Sequence, residues 1–276
     1  MRLLRKILYW LLLLVLFGLA IRWLAPGWID EQYREAVAGR PQLPGNVCRK
    51  GWGHRGLVNE DANIRENTVA SVRNAFTAGA AGVEVDILYD RESGRFIVSH
   101  DRPYQRDEDG EPLDLRSLFE QVGSGGYFWL DAKDLRELAP WVASDAVAQL
   151  AGLIRELGMR ERVFVESRHA LYLSWLAEQG IHTSLMISPN EHKYSRGVFR
   201  ANLYLAKLAY TWGPFSAFSM NDYRYTAGVA EELGVQVPVL VSTVNDRAAF
   251  QRFADSPAIA VVLTDRPFFD YRGCKN

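Results

Sequence analysis

Glu84 and Asp86 stand two apart in the run Gly82-Val83-Glu84-Val85-Asp86-Ile87-Leu88. The run is apolar, rich in β-branched residues and alternates with a period of two, so it predicts a strand. On a strand, residues i and i+2 share a face, which sets the two carboxylates side by side. Carboxylates held that close repel unless a cation lies between them. By itself the pair is open to two readings: solvated acids on an exposed strand face, or oxygen ligands of a hard metal ion at a strand end.

Charged and imidazole residues also recur where other apolar runs stop. His54-Arg55-Gly56 ends the first run, and His100-Asp101 closes a short hairpin after the strand of Glu84. Asp131 ends a third run with Lys133 two residues on, and Glu166 ends a fourth. The last two runs lead into Thr243-Val244-Asn245 and Thr264-Asp265-Arg266-Pro267. A buried parallel strand is mostly apolar throughout, so this concentration of charge at the ends asks for a reason. The residue types suit phosphoryl transfer. Glu84, Asp86 and Asp131 offer three carboxylates to one divalent cation, Mg²⁺ or Ca²⁺, and leave places for phosphate and water oxygens. Arg55 and Lys133 offer positive charge to a phosphate. Imidazoles ordinarily titrate near neutral pH, which suits His54 and His100 to share acid and base roles.

The elements that must position these residues alternate. Strand-like runs cover Gly51 to His54, Gly82 to Tyr89, Tyr127 to Asp131, Arg162 to Glu166, His182 to Ile187, Ala217 to Met220, Val237 to Ser242 and Ile259 to Leu263. A further short strand, Arg95 to Ser99, follows a turn at Glu92-Ser93-Gly94. Helical patterns lie between, including Thr68 to Ala78, Ser144 to Leu157 and Tyr223 to Leu233. Eight strands separated by helices predict an α/β fold, a parallel sheet closed into a (β/α)8 TIM barrel, with an open doubly wound sheet as the alternative. Against the latter, no glycine-rich phosphate loop follows a strand. In a barrel the C-terminal ends of the strands form one face, and the charged residues above all arrive there, Glu166 and Asn245 among them. Trp129, in phase with Asp131, faces the barrel interior.

The chain has 276 residues, 48% hydrophobic and 24% charged, which excludes wholesale disorder, and its net charge of −1 argues against nucleic acid as a partner. Arg2, Arg5 and Lys6 precede an uncharged apolar run from Ile7 to Ile21. Residues 1–25 therefore read as an uncleaved transmembrane signal anchor with a cytoplasmic N-terminus, with a cleaved signal peptide as the competing reading. Residues 26–49 form a connector with a short helix over Asp30 to Ala38, and residues 50–276 form the barrel, outside the cytoplasm in the periplasm or extracellular space. Cys48 and Cys274 bracket that domain. Export allows a disulfide between them, and unpaired thiols remain the other reading.

His54-Arg55-Gly56, Glu66-Asn67-Thr68, Gly82-Val83-Glu84-Val85-Asp86 and His100-Asp101, in that order, resemble the motifs of the glycerophosphodiester phosphodiesterase family, within the phospholipase C-like phosphodiesterases. Val241-Ser242-Thr243-Val244-Asn245-Asp246 and Leu263-Thr264-Asp265-Arg266-Pro267 resemble its closing motif. The resemblance runs from Gly51 to Phe268. It implies a metal-dependent TIM-barrel enzyme that releases glycerol phosphate and an alcohol. His54 and His100 would be its acid/base pair, Glu84 and Asp86 its metal ligands and Arg55 its phosphate holder, with Glu66 supporting the site from the loop after strand one. The family usually has Glu in a Glu-x-Lys motif where this chain has Asp131-Ala132-Lys133, so the third ligand is one methylene shorter. The segment between His100 and Asp131 is short. Ser242 stands where an aromatic is common, and Trp129 is placed to fill the gap. These departures bear on the substrate, and a lysophospholipase D-like activity on membrane lysolipids is an alternative. A catalytically silent, membrane-anchored binding barrel is another, against which the two histidines argue. His169, His182 and His192 read as structural or solvated, and the acidic stretch Asp107 to Glu111 as a solvated loop.

Overall fold

The computed structural model describes residues 25–40, 43, 49–106, 110–123, 125–234 and 236–270. The apolar run expected to anchor the chain, both cysteines and most of the acidic stretch lie outside the described residues. Among the described residues, no helix is long and apolar enough to cross a membrane.

The strands are β1 (Gly51–Gly53), β2 (Gly82–Asp90), β3 (Arg95–Val98), β4 (Tyr127–Ala132), β5 (Val163–Ser167), β6 (His182–Met186), β7 (Ala217–Asn221), β8 (Val239–Ser242) and β9 (Ile259–Thr264). β1, β2, β4, β5, β6, β7, β8 and β9 pair in parallel, and β9 returns to β1, so eight strands close a barrel. β3 is an antiparallel flap on β2, through Ile87↔Val98 and Leu88↔Ile97. The helices are α1 (residues 25–39), α2 (Val69–Thr77), α3 (Leu115–Val122), α4 (Pro140–Glu156), α5 (Ala170–Glu178), α6 (Arg196–Trp212), α7 (Ala227–Leu233) and α8 (Arg247–Asp255).

The period of two explains how strands buried on both faces still carry charge. Val83, Val85, Phe128, Leu130, Val163 and Val165 point outward into the layer shared with the helices. The alternate residues fill the lumen, where Trp52, Trp129, Phe164, Ala217, Leu240, Val261 and Leu263 pack together. Glu84 and Asp86 are in phase with the lumen, and they lie above that apolar plug. Trp52 needs Gly82 as its neighbour: a Cβ there would lie 2.5 Å from the indole ring.

Helix starts are set by side chains just beyond the strands. Thr68 accepts from the Ser71 amide while Ser71 returns a bond to the Thr68 amide, a reciprocal cap on α2. Asp114, Thr226 and Asp246 cap α3, α7 and α8, each side chain accepting one backbone amide. Two helix starts move by four residues. α4 starts at Pro140 rather than Ser144, because proline at the first helical position loses no bond and its φ is already helical. α7 starts at Ala227 rather than Tyr223, because Asp222–Arg224 make a 3₁₀ turn and the Thr226 hydroxyl then takes the cap.

The connector also differs from expectation. α1 runs over residues 25–39, well beyond Asp30 to Ala38, and it is docked. Lys207 Nζ lies 2.7 Å from Asp30 Oδ1, and Tyr33 OH donates to the Leu233 carbonyl at 3.1 Å. Burial of Tyr33 and Ile29 against the barrel's helices extends the helix past what its own pattern supports.

The turn after β1 depends on Gly56. Its φ is +82°, and a Cβ would lie 2.4 Å from Ser71 Oγ and 2.6 Å from the Ser71 carbonyl carbon. Gly56→Ala is expected to destabilise the fold by about 3 kcal/mol, through backbone strain and the displaced start of α2. Urea unfolding checks this, and an unchanged midpoint would contradict it.

Candidate active site

A cavity of about 560 Å³ opens at the C-terminal ends of the strands, lined by His54, Arg55, Glu84, His100, Trp129, Asp131, Lys133, Glu166 and Arg168 among others. Strand register builds its floor. Asp86 is paired with Asp131, and Asp131 with Glu166, so β2, β4 and β5 each deliver a carboxylate at one level. Glu84, one lumen position below Asp86, completes a group with Asp86 and Asp131. One oxygen from each of these three lies within 4.8 Å of the others, so the short arm of Asp131 still reaches.

Burial and mutual repulsion act together on these acids. The Glu84 carboxyl is pushed well above its ordinary range by burial and then by the charges of Asp86 and Asp131, against the Arg55 amide that donates to its Oε2 at 2.8 Å. Asp131 is pushed up to about 6 by burial and Asp86, against the opposing charges of Lys133, Arg168 and His100. Glu166 is also raised well above the ordinary value, by burial and then by Asp131.

Two cations and one amide hold Asp86. Lys133 Nζ lies 2.7 Å from its Oδ1, and Arg55 Nε lies 3.1 Å from its Oδ2 at an angle that makes a charge contact without a hydrogen bond. Asn67 donates Nδ2 to Asp86 Oδ2 at 2.9 Å and accepts the Asp86 amide at 3.0 Å. Arg55 is steadied in turn by Glu66, which accepts from Nη1 at 2.9 and 3.1 Å. Glu66 therefore meets the site, and capping of α2 falls to Thr68. Four buried or near-buried acids thus face Lys133, an exposed Arg168 and an Arg55 that is shared with Glu66. That deficit of positive charge, with three oxygens converging, fits a hard divalent cation bound by Glu84, Asp86 and Asp131.

Each candidate histidine is backed by a carboxylate. His54 Nδ1 lies 2.7 Å from Asp265 Oδ1, and Asn245 donates Nδ2 to Asp265 Oδ2 at 2.6 Å. The Asn245 side-chain oxygen also accepts the Asp265 amide at 2.9 Å. His100 Nδ1 lies 2.5 Å from Asp101 Oδ2. A carboxylate at Nδ1 favours the tautomer with the proton there, which leaves Nε2 free to exchange a proton in the cavity. His54 Nε2 lies 3.9 Å from Glu84 Oε2, next to the acidic floor.

The structure thus gathers His54, Arg55, Glu84, His100, Trp129, Asp131, Lys133 and Glu166 on one cavity, with Asp86, Glu66 and Asn245 in support. Trp129 is buried in the lumen, and its Nε1 has no protein partner, nor has Glu166 Oε2. Sequence reading gave no role to Asn67, Asp101 or Asp265. Asp101 had a signal, its place beside His100. Asp265 had only its position at the end of the last strand. His169 caps α5 through Nδ1 and stacks on Tyr172, and His182 lies by Ser216 and Glu161, both away from this cavity. Removing the amide that orients Asp86 tests the support directly. Asn67→Ala is expected to weaken divalent-cation binding about 10- to 100-fold by titration calorimetry. Unchanged affinity would mean that Asp86 needs no such support.

No protein-family model matches the chain. Over 80 residues it is 32% identical to human glycerophosphocholine phosphodiesterase, a match that takes in 28% of this chain and spans only 12% of that protein's length. Solved structures extend the likeness to the whole barrel. A glycerophosphodiester phosphodiesterase from Parabacteroides distasonis superposes with a TM-score of 0.61 at 16% identity, covering 79% of this chain and 93% of its own. The fold is that of the glycerophosphodiester phosphodiesterases. A phosphodiesterase from Oleispira antarctica, solved with its product sn-glycerol-3-phosphate, shares this fold with a TM-score of 0.59 at 16% identity, over 84% of this chain and 96% of its own.

Proposed function

We propose that this protein is a divalent-metal-dependent phosphodiesterase that cleaves glycerophosphodiesters to glycerol phosphate and an alcohol. The observation that carries the reading is the meeting, in one cavity, of three converging carboxylates and two histidines that each have a carboxylate at Nδ1. Glu84, Asp86 and Asp131 would hold Mg²⁺ or Ca²⁺, which when bound supplies a Lewis acid for a phosphate oxygen. Arg55 and Lys133, now on Asp86, supply the remaining positive charge around the phosphate. One imidazole Nε2 takes a proton from the nucleophile, either water or a neighbouring substrate hydroxyl; where it is the hydroxyl, water then opens the cyclic phosphate to glycerol phosphate. As the new O–P bond forms, the P–O bond to the alcohol breaks, and the other Nε2 gives that alkoxide a proton. A panel of glycerophosphodiesters, run with and without chelator and beside His54→Ala, tests the reading. Turnover of none of them by the wild-type protein would sink it.

The same reading places residues 1–25 as a signal anchor with the barrel outside the cytoplasm. Support comes from Arg2, Arg5 and Lys6 ahead of the apolar run. A lysophospholipid is the second substrate reading, favoured by large apolar side chains exposed after the C-terminal ends of the strands, Trp141 and Tyr223 among them. Relative turnover of soluble glycerophosphodiesters and of lysolipids in micelles separates the two.

A further inference from the structure

Scattered apolar side chains on a protein surface need no explanation, but here they are not scattered. Nine large ones stand exposed among the described residues, and six of them follow the C-terminal ends of strands: Val58, Trp141, Leu171, Tyr194, Val198 and Tyr223. The last five lie in four consecutive connections, β4 to α4, β5 to α5, β6 to α6 and β7 to α7, or in the first turn of the helix that follows. They therefore form an arc on one side of the cavity mouth. Trp141 is 73% exposed and Tyr223 65%, so neither is spent on the core.

The arc carries positive charge at the same level. Arg168, Lys193 and Arg196 are exposed on it. Lys193 Nζ lies 5.5 Å from the Tyr194 ring centre, and the Arg224 guanidinium lies 4.8 Å from that of Tyr223. A tyrosine beside a long cationic side chain suits the boundary of a bilayer, where the ring meets acyl chains and the cation meets headgroup phosphates. Against these cations stand two exposed acids of the same segments, Glu137 and Glu191, so with Arg136 the exposed cations prevail.

The path of the chain favours the same surface. α1 lies along α6 and runs in its direction: Asp30 meets Lys207, while Arg40 reaches the carbonyls of Tyr210 and Gly213. The start of α1 is thus the end nearer the start of α6, on the side of the mouth where Val198 stands. In the sequence, the 24 residues that precede α1 include the apolar run. The other exposed apolar residues, Trp28, Leu205 and Trp212, lie on α1 and α6 themselves.

We propose that the α4–α7 side of the mouth seats on an anionic lipid bilayer, so that the phosphodiesterase cavity faces the headgroup layer. The proposal rests on the anchor of the preceding subsection for its proximity and on the arc for its orientation. It is tested with the full chain in nanodiscs, of phosphatidylcholine alone or with about 30% phosphatidylserine, by amide hydrogen exchange. Residues 190–200 and 222–226 are expected to exchange about tenfold more slowly in the anionic discs. The double variant Trp141→Glu with Tyr223→Glu is expected to lose that protection while keeping wild-type turnover of soluble glycerophosphocholine. Equal exchange in the two discs, or protection retained by the variant, overturns the proposal. Failure of the chain to enter discs overturns the anchor instead. The arc is then judged by flotation with vesicles of the same lipids: binding that the double variant loses supports it, and absence of binding overturns it.

Discussion

His54→Ala lowers kcat for a glycerophosphodiester by about 10³-fold, and His100→Ala does the same, with little change in KM. The expectation follows from position. Both imidazoles line the cavity, each with Nδ1 on a carboxylate, so Nε2 is the nitrogen left without that partner. Losing either would leave one proton transfer without its partner, while Arg55 and a cation held by the carboxylates would still hold the phosphate. A substrate with a p-nitrophenolate leaving group separates the roles, because that group departs without a proton. It restores the rate of the variant that lost the acid and leaves the other slow. Asp265→Asn is expected to lower kcat less than His54→Ala, since the imidazole remains but loses its orienting carboxylate. Full activity of both histidine variants on an unactivated glycerophosphodiester would remove acid–base catalysis by this pair.

A divalent cation raises the melting temperature by about 5–10 °C at pH 7.5 when present at about a hundred times its dissociation constant, and by far less at pH 5. Burial and the charge of Asp86 raise the Asp131 carboxyl from 3.8 to about 6, and Glu84 is raised as well. A carboxyl whose pKa is raised by folding binds more protons folded than unfolded in the interval between the two values. Its contribution is therefore complete below the unfolded value of 3.8 and is lost as pH rises through about 6. The metal-free protein weakens over that interval, whereas the cation binds the ionised form and gains over it. Melting curves at both pH values, with and without chelator, measure the crossing. Asp131→Asn carries the opposite signs: it raises the metal-free melting temperature at pH 7.5 and abolishes the response to cation. An equal response at pH 5 and 7.5 would contradict this account.

Asp86 also shows how the histidine and carboxylate chemistry depends on its cations. Arg55 and Lys133 read from sequence as phosphate-binding cations, and both rest on Asp86 in the folded chain. The two readings are compatible, because a cation taken up by Asp86 releases part of that charge toward a phosphate. Only the fold places the two side chains on the same carboxylate.

Much of this protein was legible along the chain, for a local reason. Strand alternation is a property of neighbouring residues, so the pairing of Glu84 with Asp86 on one face could be read from five letters. The same holds for the αβ alternation, and for the ends of strands as the place where charge collects. What was not legible lies across the barrel. Asp265 meets His54 from 211 positions away, and Asn245 steadies it from the preceding strand's loop. The level shared by Asp86, Asp131 and Glu166 is a matter of strand register, which closure of the barrel sets and no single strand encodes. Helix starts at α4 and α7, and the length of α1, were decided by a proline, a cap and a docking surface. Residue types determined which chemistry was possible at the mouth of this barrel. Tertiary structure decided which groups share a cavity, which carboxylates stay buried with too little positive charge, and which nitrogen of each histidine is left to act. Those are consequences of distance and burial, and neither exists until the eighth strand returns to the first.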